Sequence, residues 1–297
     1  MNSSNPFVSV VIPTYKRNDF LKKAIESAGN QTYANTEIII VDDNEPDSLY
    51  RRDTVLLVHS MSHKYSNIRY IAHEQNKGGS AARNTGIKES QGMYVSFLDD
   101  DDWWLTGKLS LQLIKMKDNV GILSEAINKK NNIYQDEYLN KDMLIKYRWP
   151  GGTTSSLLIR KNIIAKYLFD ESLVCGQEFD LLLRLAQGNE KIICTADQLV
   201  YINVSESYDR ITTAKMKISK NDVLNRTQAI EKNKEYIGKH YNLLLARNIL
   251  GYFHRTNYPF YLIFLSTRKA GMKATIHVLI LKLLDKISFI KHFTYIS

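Results

Sequence analysis

Cysteine is scarce in this 297-residue chain: Cys175 and Cys194 are the only two, and their spacing suits neither a metal site nor a redox pair. So few thiols point to a reducing compartment, while the possibility of a disulfide stays open at the level of sequence. A leader-like N-terminus is also missing. MNSSNPFVSVVIP has no basic segment followed by a long apolar one, so residues 7–12 read as a strand and the chain is expected in the cytoplasm. Within residues 272–291 the longest apolar run is VLIL, far short of the ~18–20 residues that cross a bilayer. No internal repeat or low-complexity tract interrupts the chain. The seven histidines form no H-E-x-x-H or similar arrangement, so none is assigned to a metal. The glycines of NKGGS make no G-x-G-x-x-G fingerprint, which weighs against a dinucleotide loop.

What is present is an ordinary globular composition, 44% hydrophobic and 24% charged, long enough for one large or two modest domains. The formal charge of +9 invites a nucleic-acid role, but its distribution argues against one. From Lys239 onward nine basic residues face one acid, Asp285, so nearly all of the excess sits in the tail. We divide the chain into a body of residues 1–215 and a mostly helical basic region, 216–297.

The body alternates strand and helix. FVSVVI is a short β-rich run ending at Pro13; Leu21, Ala24, Ile25 and Ala28 recur at helical spacing and predict a helix over 18–30. EIIIV (37–41) is a second buried strand, ending in Asp42 and Asp43. An ambiguous helical stretch precedes a strand at 68–72, then come the NKGGS loop, a helix over 80–89 and the strand MYVSFL (93–98). This order predicts a mixed, mostly parallel sheet flanked by helices, with Thr14, Asp43 and Asp99 converging at the carboxyl ends of its strands, where open α/β sheets bind ligands. Beyond it, a helix over 105–117, strands at 121–126, 153–160, 191–194 and 198–202, and a helix over 177–187 complete the body.

The run Asp99–Asp102 in FLDDDDWW is the centre of the reading. If the strand continues through it, Asp99 and Asp101 face one way and Asp100 and Asp102 the other. Adjacent carboxylates repel, by ~1 kcal/mol at 4 Å in water and several-fold more beside a low-dielectric wall. A hard divalent cation compensates such a cluster, since Mg²⁺ or Mn²⁺ takes one or two carboxylates together with phosphate oxygens and water. The plainer alternatives are a helix N-cap for Asp102 and a solvated or loop-bonded Asp100.

VSVVIPTYKR, EIIIVDDNEPD, NKGGSAARNTGI and YVSFLDDDDWW resemble, in order and spacing, the inverting family 2 glycosyltransferases with the A-type nucleotide-sugar fold. The resemblance covers about residues 7–190. It implies a nucleotide-sugar donor, UDP-linked, bound at the strand ends through a D-x-D motif, here Asp99-Asp100-Asp101. By that mapping Asp101 holds Mn²⁺ or Mg²⁺ on the diphosphate and Asp99 meets the ribose or the metal shell. Asp43 accepts from the base imide N–H, and Pro13, Thr14 and Tyr15 line the base pocket. Two positions depart from the pattern: Lys16 stands where Asn is common, and Asn44-Glu45-Pro46 replaces Gly-Ser-Thr.

A metal on the leaving group does not activate the acceptor, which needs a base. In CGQEFDLLLRLA, Gln177 and Glu178 occupy the family's E-D positions, so Glu178 inherits the base role with Asp180 as runner-up. The plainer readings are a helix first-turn acid for Glu178 and an i,i+4 pair with Arg184 for Asp180. Arg83 either meets anionic donor oxygens or pairs with Asp99 or Asp101. Trp149 and the TTSS segment lie where the family shapes its acceptor side, and Arg210 is placed to reach the diphosphate.

In the tail, Ile276, Leu279, Ile280, Leu283, Ile287 and Ile290 share one helical face with lysines elsewhere, a pattern that suits a membrane interface or packing on protein. The expected partners are therefore a nucleotide-sugar, a saccharide or lipid-linked acceptor and the inner membrane surface, with no nucleic acid. Two competing classes stand beside this reading. A sugar-1-phosphate nucleotidyltransferase should carry a glycine-rich basic loop after the first strand, and PTYKRND has no glycine. A basic protein that binds nucleic acid or an anionic surface would explain the tail but not the acidic run.

Overall fold

The computed structural model describes residues 5–128, 136–147, 153–203, 219–253 and 256–282. Trp149, Gly151, Gly152, Arg210 and the tail positions Leu283, Ile287 and Ile290 lie outside them. The chain forms two compact units, one of residues up to Ser172 together with Gln177–Asn203, the other of Leu173–Gly176 and the residues from 204 on.

In the first unit, β1 (Val8–Thr14) and β2 (Thr36–Asp42) are buried along their whole length, which is why they read as nearly unbroken apolar runs. They pair in parallel, with β3 (Ile68–Ala72) on the outer side of β2 and β4 (Tyr94–Phe97) on the other side of β1. The crossovers are α1 (Asn18–Gly29), α2 (Leu49–Ser62) and α3 (Gly79–Glu89). α1 buries the four residues whose spacing marked it, Leu21, Ala24, Ile25 and Ala28. α3 lies so close to β1 that a Cβ on Gly86 would come within 2.2 Å of Val11, so only glycine fits there.

After β5 (Trp103–Trp104) and α4 (Lys108–Met116), β6 (Gly121–Ala126), β7 (Glu137–Tyr138), α5 (Lys141–Tyr147), β8 (Leu157–Arg160), α6 (Lys161–Tyr167), α7 (Gln177–Gln187) and β9 (Ile192–Tyr201) complete the unit. The strand order is β3-β2-β1-β4-β8-β6-β9-β5, with β7 beside β9. β8 runs antiparallel to β4, making the sheet mixed. Two expectations are corrected. The pair of short strands over 191–202 is one strand, whose register against β6 shifts in its second half and so breaks the apolar alternation. TTSS is not strand but a 3₁₀ turn, Thr154–Ser156, capped by the Thr153 hydroxyl accepting from Ser155 N–H.

The described residues of the second unit are mostly helical. α8 (Lys220–Lys232) opens on a capping box in which Ser219 and Asp222 satisfy each other's backbone N–H groups. α9 (Lys234–Ile237), α10 (Tyr241–Leu250), α11 (Pro259–Ala270) and α12 (272–282) follow. α11 and α12 are joined through a buried hydrogen bond of 2.8 Å between Ser266 and Thr275. Among the described residues no helix is long and apolar enough to cross a membrane.

Candidate active site

β4 ends at Phe97, and the acidic run after it is a turn, closed by Asp102 N–H donating to the Asp99 carbonyl at 3.0 Å. The expected strand alternation is therefore replaced: adjacent Asp100 and Asp101 share one partner. Arg17 Nη1 lies 3.2 Å from Asp100 Oδ1 and 3.1 Å from Asp101 Oδ2. Asp100 Oδ2 also accepts from the Thr14 hydroxyl at 2.9 Å and from Tyr15 N–H at 3.3 Å, tying the ends of β1 and β4 together. Asp99 accepts from Arg83 Nη2 at 2.6 Å. Asp102 is not a helix cap, because α4 starts at Lys108 behind Gly107. It accepts instead from the Ser155 hydroxyl (2.8 Å) and Asn203 N–H (3.2 Å).

Ser155 is the pivot of this turn. Fully buried, it donates to Asp102, accepts from Asp99 N–H at 3.0 Å, and its carbonyl accepts from the Trp104 indole at 2.8 Å. Trp103, the other half of the WW pair, stacks on Tyr201 at 4.1 Å. Beneath Trp104 lies Lys108, fully buried, donating to Ser96 Oγ and Gln112 Oε1 and pushed by burial well below the ordinary lysine range.

Electrostatically the turn is a carboxylate cluster held by two guanidinium groups. Burial pushes the Asp100 carboxyl up to about 7, more than Arg17 pulls it down. Burial opposes the charge on Arg83 and Arg17, but the neighbouring carboxylates outweigh it and both stay raised. For Arg83 those neighbours include Glu178, which places the candidate base in the field of the same cluster. Arg83 thus pairs with Asp99, and Asn84 beside it is occupied with Phe169 and Glu171.

Glu178 lies half-buried in the first turn of α7 and accepts from the Thr154 hydroxyl at 3.3 Å. One short turn, Thr154-Ser155, therefore touches both the base candidate and the acidic turn. Asp180 is fully buried and pairs with Arg184 at 2.8 Å, the i,i+4 bridge its spacing implied. Arg184 also donates to the Leu168 carbonyl at 2.7 Å and to Tyr167, which fastens α7 to the end of α6.

At the end of β2, Asp43 is buried under four donors: His73 Nδ1 (2.7 Å), Lys77 N–H (2.8 Å), Gly78 N–H (2.7 Å) and Asn76 Nδ2 (3.1 Å). A carboxylate has about four acceptor positions, so all are in use. Pro13 is buried within β1, whereas Tyr15 is exposed with the Lys16 ammonium 4.8 Å from its ring centre. Lys16 has φ +57°, a left-handed conformation that Asn tolerates several-fold better than other side chains. That backbone suits the Asn that the resemblance leads one to expect there. Lys16→Asn is expected to add about 0.5–1 kcal/mol of stability and about 2 °C to Tm in a thermal melt. Asn44, in the altered loop, accepts from Lys16 N–H at 2.8 Å and donates to Asp42.

Sequence reasoning brought Thr14, Arg83, the acidic run and Glu178 to one place but missed Arg17 and Ser155, whose partners lie 83 and 53 residues away in sequence. Among the described residues no group of three or more His, Cys, Asp or Glu side chains forms a metal cage. The donor set nevertheless fits Mg²⁺ or Mn²⁺. Asp99 and Asp101 offer hard oxygens in a spot already arranged around positive charge, and such ions need only one or two carboxylates beside phosphate and water.

The mixed, mostly parallel sheet flanked by helices, with an acidic turn at the carboxyl end of β4, is an A-type glycosyltransferase fold. The profile of "Glycosyl transferase family 2" matches residues 9–169, and the chain belongs to that family. An uncharacterized glycosyltransferase of Rickettsia felis is 41% identical over 125 residues, 42% of this chain and 20% of that protein. An Escherichia coli protein named UDP-Glc:alpha-D-GlcNAc-diphosphoundecaprenol beta-1,3-glucosyltransferase is 36% identical over 138 residues, 46% of this chain and 49% of its own length. The chain thus spans half or less of these relatives. Among solved structures, a mannosyltransferase of Pyrobaculum calidifontis in complex with GDP-Man and Mn²⁺ superposes with a TM-score of 0.62 at 14% identity, covering 95% of this chain and 81% of that one.

Proposed function

We propose that this chain is an inverting glycosyltransferase moving a sugar from a UDP-linked donor to a saccharide or lipid-linked acceptor in surface-polysaccharide synthesis. The observation that carries this reading is the convergence of Thr14, Arg83 and the acidic turn at the strand ends, with Glu178 tied to that turn through Thr154-Ser155. Asp101 would hold the divalent ion, and Asp99 would meet the ribose or the metal shell. When bound, that ion stabilises the charge that develops on the leaving diphosphate. Thr14 and Tyr15 carry the base, and Asp43 reads its N–H. Asn76 Nδ2, the longest of the four donors on Asp43, would have to yield to it. Glu178 takes the proton from the acceptor hydroxyl, and direct displacement inverts the anomeric centre without a covalent intermediate. The Escherichia coli relative, named for a UDP-sugar and a diphosphoundecaprenol substrate, and the Mn²⁺ in the archaeal structure support donor, acceptor and metal.

A screen of UDP-, GDP-, dTDP- and CDP-sugars for slow hydrolysis tests the reaction class. Metal-dependent release of a nucleoside diphosphate is expected. Consumption of a nucleoside triphosphate with release of pyrophosphate would instead indicate a nucleotidyltransferase.

The second unit is read as the contact to the cytoplasmic membrane face. α11 exposes Phe260 (83%) and Phe264 (59%), and α12 exposes Met272, Ile276 and Ile280 beside Lys273, while Thr275 and Val278 are buried. Bulky apolar groups beside cationic ones suit an anionic lipid surface, where burial and charge attraction add. The full chain is expected to sediment with phosphatidylglycerol vesicles, less so as salt rises, and Phe260→Glu/Phe264→Glu to lose about tenfold in partitioning. Equal sedimentation of both proteins would remove this assignment.

A further inference from the structure

Arg17 bridges two adjacent carboxylates of the acidic turn. Its Nη1 bridges Asp100 and Asp101, whose side chains are 5% and 6% exposed, while the Arg17 side chain itself is 22% exposed. Asp100 is locked to the end of β1 by the Thr14 hydroxyl and Tyr15 N–H through its other oxygen, Oδ2. The guanidinium therefore has a fixed anchor on Asp100 Oδ1 and a second contact on Asp101 that it can release by pivoting.

We propose that Arg17 is the resident counter-cation of the acidic turn, and that a divalent ion reaches Asp101 only by displacing the guanidinium, which swings about Asp100. This rests on the metal reading of Asp101 given above. A divalent ion and a guanidinium on one carboxylate repel at contact distance, so the two compete. The diphosphate of a nucleotide relieves that competition, because it supplies oxygens to the ion and a second anionic partner to the displaced Arg17. Arg17 thereby couples metal affinity to the presence of nucleotide.

The test is Mn²⁺ binding by the full chain, read from the electron paramagnetic resonance signal of the free ion, with no turnover involved. Without nucleotide, Arg17→Gln and the apolar variant of similar length, Arg17→Met, are each expected to bind Mn²⁺ about tenfold more tightly than the unsubstituted protein. Adding Asp101→Ala to either should remove the gain. Lys16→Gln deletes the same charge one residue away from an exposed side chain and is expected to change affinity by less than about twofold. With UDP present, the unsubstituted protein should close most of the gap. A gain in Lys16→Gln equal to that in Arg17→Gln, or no gain in either Arg17 variant while Mn²⁺ and UDP still bind together, overturns the exchange and leaves the metal reading standing. No Mn²⁺ binding by any of the proteins, with or without UDP, overturns both.

Discussion

Glu178→Gln is expected to lower sugar transfer by about 10²–10⁴-fold while nucleotide affinity stays within about threefold of the unsubstituted value. The amide is isosteric and its oxygen still accepts from the Thr154 hydroxyl, so the turn carrying Ser155 keeps its geometry. What disappears is the proton acceptor. Arg83 also loses one of the negative charges that favour its own, but its direct partner Asp99 remains at 2.6 Å. The loss should therefore fall on kcat, not on donor KM. Asp180 is not expected to inherit the role, because it is fully buried and paired with Arg184. Asp180→Asn is expected to lower stability at the α6–α7 junction, where Asp180 orients Arg184. If Asp180→Asn abolished transfer with Tm unchanged while Glu178→Gln remained active, the two assignments would have to be exchanged.

Asp101→Ala should have the complementary effect. Binding of the nucleoside diphosphate loses its dependence on Mn²⁺ or Mg²⁺, and transfer falls by about 10³-fold or more, since a cation on the leaving group contributes several kcal/mol to the transition state. The fold should tolerate the change. Arg17 keeps its contact with Asp100, and the backbone bond from Asp102 and the Ser155 contact to Asp99 N–H remain in place. Titration calorimetry of UDP with and without Mn²⁺ separates the variants. Metal-dependent affinity should survive in Glu178→Gln and vanish in Asp101→Ala. Equal losses of binding in the two would dissolve the division between a metal-holding and a proton-accepting carboxylate.

Much of the sheet was legible because burial left a clean signal. β1 and β2 are buried through their length, and α1 buries one face at helical spacing. α2 was ambiguous for a physical reason. Its buried positions are Arg51, Thr54, Val58 and Met61, so two polar residues occupy its inner face: Arg51 pairs with Asp42, and Thr54 bonds to Asn18. The carboxylates of the site were visible because four in a row at a strand end are costly without compensation. Their compensation was not visible. Arg17 and Ser155 meet the turn only through tertiary packing, and the turn itself cancels the side-chain alternation that an extended strand would have had. Lys16 departs from the pattern at a positive-φ position where Asn is the easier residue, and nothing in the structure explains the lysine.

The donor site is tested most directly by the melting temperature of the full chain with UDP, GDP, dTDP and CDP, each with and without Mn²⁺. At least one nucleotide, UDP first among them, should raise Tm by several degrees only when the metal is present, as expected for a ligand at about 100-fold its dissociation constant. If none of the four raises Tm in a metal-dependent way, the acidic turn is not a nucleotide-sugar site.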